Sequence, residues 1–153
     1  MYSKEEAQQI RTKFWISFGQ YMKLHLSSEG ESINWVNYKT GIKDLFFKTD
    51  ISNKSAKISI EITHKDLSIQ ELMYEQFQEF QSMFHSYFDE EWIWSKQYSD
   101  EQGKIISSIE LTLEGVSIFR ESDWVIIINF LKTNLINLDG FWNDVKDSFE
   151  MFK

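Results

Sequence analysis

The sequence predicts an α+β fold: a mostly antiparallel sheet of about five strands with helices packed on it, in the order α-β-β-β-α-β-β-α. Three observations carry this. Ala56, Ile58, Ile60 and Ile62 alternate with Lys57, Ser59, Glu61 and Thr63, which gives a strand one apolar and one polar face. Met73, Phe77, Phe80, Phe84 and Tyr87 recur at the helical spacings of four and three, so they share one helix face. Proline is absent and there are only 6 glycines in 153 residues, which favours long uninterrupted elements and no linker. The whole chain, residues 1–153, is expected to be one domain.

Taken in order, Ser3 to Leu26 reads as a helix. Ser3 and Glu6 make a capping box. Ile10, Phe14, Phe18 and Tyr21 supply its apolar stripe, and Gly19 inside it suggests a close packing contact. SSEGES, residues 27–32, is a loop. Three short strands follow: Ile33 to Tyr38, Leu45 to Phe47 with their neighbours, and Ala56 to Ile62. Asp50, Ser52 and Asn53 form a turn between the last two.

A second helix is expected to start at a Ser68–Glu71 capping box, with Leu67 and Leu72 as its hydrophobic staple. A hairpin comes next. Trp92, Trp94 and Tyr98 line one face of its first strand, and Ile105, Ser107, Ile109, Leu111 and Leu113 line one face of its second. The chain closes with a helix that Ser122 can cap. Asp139 and Gly140 interrupt it, which predicts a kink, or a second helix capped by Asp139.

Composition narrows the function classes. There is no cysteine, which excludes disulfides, a thiolate nucleophile and cysteine-ligated zinc. The opening MYSKEEAQQI lacks a secretory pattern, and no apolar run reaches the roughly 18 residues of a membrane span. A cytoplasmic location and no membrane partner are expected. A net charge of −8 argues against a general nucleic-acid binder. The charge is uneven, however. From Glu71 to Glu101 eight acids face only Lys96, whereas from Lys39 to Lys65 six lysines face Asp44, Asp50 and Glu61. The lysines read either as a solvated face or as an anion-facing surface.

Trp35 with NYKTG (residues 37–41), KDLFF (43–47), AKISIEI (56–62), WIW (92–94) and LDGFW (138–142) resemble the bacterial domain-of-unknown-function 4268 family over nearly the whole chain. That family is defined by similarity, so it implies no activity. The order helix, three strands, helix, strand also resembles the restriction-endonuclease-like nucleases. In those, a glycine often precedes an aspartate at the second strand, and a Glu-x-Lys triplet lies on the third. Here Gly41, Asp44 and Glu61 fall in matching places. The resemblance implies Mg²⁺ held by Asp44 and Glu61, polarising a phosphodiester and activating water. The triplet reads Glu61-Ile62-Thr63, so threonine stands where lysine belongs, and Lys57 or Lys65 would have to substitute. Outside that reading no cofactor is implied.

His25, His64 and His85 are scattered without metal-ligand spacing, and no phosphate loop, serine elbow or dinucleotide fingerprint occurs. Trp92 and Trp94 suit either a core or a stacking platform. The reading that follows is a non-catalytic binding or assembly module with a protein partner or self-association. A metal-dependent nuclease, or a degenerate nucleic-acid-binding relative of one, is the alternative.

Overall fold

The structure is a computed structural model and describes residues 2–153. Helix α1 spans Lys4–Met22, strands β1 and β2 span Leu45–Ile51 and Ser55–Ile62, and helices α2 and α3 span Leu67–Glu79 and Gln81–Ser86. Strands β3 (Ile93–Ser99) and β4 (Ile105–Glu114) follow, and α4 runs from Trp124 to Val145 between two short 3₁₀ turns. The four strands form one antiparallel sheet in the order β1-β2-β4-β3.

The α+β class holds, with four strands among the described residues and not five. The missing strand is Ile33 to Tyr38, which is irregular. Asn34 Oδ1 accepts the N–H groups of Val36 and Asn37, each at 3.1 Å. A side chain that takes these donors turns the chain and removes them from any ladder. The observed order is therefore α-β-β-α-α-β-β-α.

The alternation along β2 is realised: Ala56, Ile58, Ile60 and Ile62 are fully buried. Helices pack on that face. The Trp142 ring meets Phe47 edge-on at 5.5 Å, and Phe84 meets Trp92 and Trp94 at 5.1 and 5.5 Å. The opposite face is polar. The register sets Phe46, Glu61, Ser108 and Ser95 in one row and Lys48, Ser59, Glu110 and Ile93 in the next. An antiparallel sheet tolerates one wet face because its backbone donors are already paired within the ladder.

The hairpin departs from strict alternation. Trp94 sits opposite Ile109 and faces the helices, but the pairing shifts by one residue between Ser95 and Tyr98, and Gln97 adopts φ 42°. A bulge of one residue moves every later side chain to the other face. Tyr98 therefore lies on the polar face, where its hydroxyl is 2.7 Å from Ser108 Oγ.

Helix boundaries show further differences. The Ser3–Glu6 capping box is present. Helix α1 ends at Met22, and Leu24 beyond it is 86% exposed. A Cβ on Gly19 would meet Val36 at an ordinary 3.7 Å, so that glycine serves no close approach; Gly140, where a Cβ would meet the Tyr87 ring at 3.1 Å, does. Helix α2 is capped by Asp66, which accepts the Ser68 and Ile69 N–H groups, and not by a Ser68–Glu71 box. Leu67 and Leu72 are exposed and make no staple. The apolar stripe from Met73 to Tyr87 breaks at Phe80, so it is shared between α2 and α3. Ser122 does not cap α4, and Asp123 accepts the Ser117 N–H at 2.9 Å before the helix starts. Helix α4 then runs unbroken through Asp139 and Gly140. Among the described residues, no helix is long and apolar enough to cross a membrane.

The cap assignment is testable by thermal unfolding. Asp66→Ala is expected to cost about 1 kcal/mol by leaving two helix donors without a partner, while Ser68→Ala stays within about 0.5 kcal/mol. The reverse ranking would restore the Ser68 cap.

Candidate functional site

The segment between α1 and β1 forms no regular element, and polar ties hold it against α4. Asp139, Trp142, Asn143 and Lys146 are spaced three, one and three apart, which puts them on one face of that helix. Asp139 is the centre. It is only 2% exposed, and an ionised carboxylate so placed needs donors. The Ser28 N–H donates to Oδ2 at 2.7 Å, the Tyr38 hydroxyl to Oδ1 at 2.5 Å and the Asn143 amide to Oδ1 at 3.3 Å. Around it, the Trp142 indole donates to the Thr40 carbonyl at 3.1 Å, and Lys146 Nζ donates to Glu29 Oε1 at 2.8 Å.

The two faces enclose a cleft of about 400 Å³. Its size falls within the range of small-molecule sites, about 300–1,000 Å³. Ile33 and the Trp142 ring supply apolar lining, and Asn34, Asn37, Lys39 and Glu31 are polar lining residues. NYKTG and LDGFW, distant in sequence, thus meet at one place. Burial raises the Tyr38 phenol above the ordinary tyrosine range, and the hydrogen bond to Asp139 and its charge raise it further. The hydrogen bond to Glu29 holds the Lys146 ammonium above the ordinary lysine range. Tyr38 and Lys146 therefore keep their protons at neutral pH.

The sequence reading missed this site because Asp139 looked like a cap. The usable signal was a lone acid inside the apolar run from Leu138 to Trp142. An acid at a helix position that buries its neighbours must find donors elsewhere in the chain.

The residues singled out in the sequence lie elsewhere. Asp44 immediately precedes β1 in the left-handed region, with φ 62°, a conformation that aspartate tolerates better than most residues. Its carbonyl accepts the Thr63 N–H at 2.9 Å, and Phe46 lies opposite Glu61. Asp44 thus lies outside the ladder, two residues before the position that pairs with Glu61. Glu61 is paired with Lys48 at 3.3 Å and accepts from Ser59 at 3.4 Å. Lys57 is paired with Glu110 at 3.1 Å. Burial alone would lower the Lys57 pKa, but the charge and hydrogen bond of Glu110, helped by Glu61 and Asp50, raise it. Lys65 is exposed beyond the end of β2. The lysine on Glu61 thus comes from the neighbouring strand and not from Lys57 or Lys65.

Of the histidines, His64 accepts the Asp66 N–H through Nδ1 at 3.1 Å, and His85 lies beside Trp94. Among the described residues, no three His, Asp or Glu side chains gather closely enough to hold a metal ion. Trp92 and Trp94 pack against Phe84 and are core residues in the main.

The Asp139 centre makes two measurable demands. Asp139→Ala leaves its part-buried donors without their shared acceptor and is expected to cost about 1–3 kcal/mol in denaturant unfolding. Tyr38 binds its proton more tightly folded than unfolded. Its share of stability is complete below the unfolded value of about pH 10 and is lost as pH rises through the folded one. Alkaline unfolding should therefore lose part of its pH dependence in Tyr38→Phe, and an unchanged profile would contradict the assignment.

No curated protein and no solved structure matches the chain. The family described as domain of unknown function (DUF4268) matches residues 10–146, a span that includes the Tyr38, Asp139 and Lys146 positions. By that match the chain belongs to the domain-of-unknown-function 4268 family.

Proposed function

We propose that this protein is a non-catalytic binding module that receives a small polar ligand in the Asp139 cleft. One observation carries the reading. The segment before β1 and the helix α4 converge on one buried carboxylate, and the bonds they make there support a cleft lined by amides, charges and two apolar side chains. Such cross-bracing lowers the ordering cost of binding, because the groups are already held in place. The central groups are spent on each other, so contact with a ligand falls to the polar residues Asn34 and Asn37 beside them.

A screen of small polar fragments by protein-observed NMR tests this. The expected result is saturable shifts at Asn34, Asn37, Tyr38 and Asn143, abolished by Asn37→Trp, which places a bulky ring in the cleft. A screen in which no cleft residue moves would end the reading.

A second reading has one observation in its favour. Glu61 carries Lys48 at 3.3 Å on the polar face, and Asp44 precedes by two residues the Phe46 that pairs with it, carboxylates and a lysine of the kind that metal-assisted phosphodiester hydrolysis would use. It requires Mg²⁺- or Mn²⁺-dependent cleavage of DNA or RNA that disappears in Glu61→Ala. Intact nucleic acid with both metals would remove it.

A further inference from the structure

Two charged side chains of the cleft have no counter-ion of their own. Lys146 is bound to Glu29, and Asp139 is saturated by Ser28, Tyr38 and Asn143. Among the described residues, Glu31 and Lys39 form no ion pair, and both are exposed. Both line the same cleft. The Nδ2 donors of Asn34 and Asn37 are uncommitted as well, since only Asn34 Oδ1 is used, in its own turn.

We infer that the ligand is a small zwitterion of the free amino-acid type, its carboxylate received by Lys39 and the asparagine amides and its ammonium by Glu31. The inference rests on the binding reading above and deepens it. A simple anion would satisfy Lys39 but would face Glu29 and Glu31 with the Asp139 carboxylate behind them. A simple cation would satisfy Glu31 but would face Lys39 and Lys146. Like charges so placed repel. A ligand with one charge of each sign relieves both residues together. Ile33 offers its side chain an apolar surface, and a cleft of about 400 Å³ suits a ligand of that size.

The test uses the full chain and a panel of free L-amino acids. Each hit is compared with its N-acetylated form, which lacks the ammonium, and its carboxamide, which lacks the carboxylate. Binding is read by calorimetry and by NMR shifts at the cleft. Capping either end is expected to weaken a hit roughly tenfold or more, since each cap removes one charge-assisted contact. Lys39→Ala should weaken the parent and no longer distinguish it from the carboxamide. Glu31→Gln should do the same against the N-acetylated form. Both side chains are exposed and make no hydrogen bond or ion pair, so these variants keep the wild-type melting temperature.

Affinity that is indifferent to both caps, or amino acids that leave the cleft unperturbed, overturns the inference. If polar fragments still bind there, the binding reading stands and only the ligand class fails. If nothing binds there, both fall.

Discussion

The Asp139 carboxylate sets the terms for the part of the molecule that carries no regular structure. A charge this deeply buried is tolerated only with its acceptor sites filled. Both oxygens have donors, and these come from three places: the Ser28 backbone, the Tyr38 ring and the Asn143 amide one helical turn away. Because Ser28 and Tyr38 flank the intervening segment, meeting the demands of one side chain fixes both ends of it. Trp35 pins the middle by donating its indole N–H to the His25 carbonyl at 2.9 Å. The segment is irregular in conformation and yet determined in position.

That segment also joins the sheet. Thr40 Oγ1 bonds the Leu45 carbonyl at 2.9 Å, at the start of the edge strand β1, and Tyr38 stacks on Phe47 at 5.2 Å. At the other end of β1, Arg11 donates to the Ile51 carbonyl at 2.8 Å. Edge strands offer unpaired backbone groups to any passing chain, and here α1 and the irregular segment occupy some of them. The other edge strand, β3, is blunted by its bulge and by Lys96. The same bulge delivers Tyr98 to the polar face, so one extra residue both protects an edge and changes what the open face of the sheet contains.

The polar face shows how charge patterning along the chain becomes a surface. The excess of lysine between Lys39 and Lys65 reads in the sequence either as a solvated face or as an anion-facing surface. In the folded chain Lys48 pairs with Glu61 and Lys57 with Glu110. Glu110 comes from β4, far outside the lysine-rich stretch. The acidic stretch is partly answered in the same way, with Glu71 bound to Lys96 at 3.4 Å. Local charge counts omit the strands and helices that arrive from elsewhere, so they overstate the fields that survive folding.

Periodicity by itself determined the apolar face of β2, the stripe shared by α2 and α3, the first capping box and the α+β class. Each depends on side chains within a few residues of one another, where the spacing of a strand or a helix is the whole argument. What only the tertiary structure decided depends on partners far away in the chain. Ile33 to Tyr38 has the composition of a strand, but it obeys Asn34 and the distant Asp139. Asp139 resembles a helix cap, but its neighbours Leu138, Phe141 and Trp142 are all buried, which keeps the helix whole around it. The family stretches NYKTG and LDGFW were visible as sequence, whereas their meeting in one cleft was not. A carboxylate does not record in its local sequence which donors will reach it, and the cleft exists only because two segments about a hundred residues apart bond to the same one.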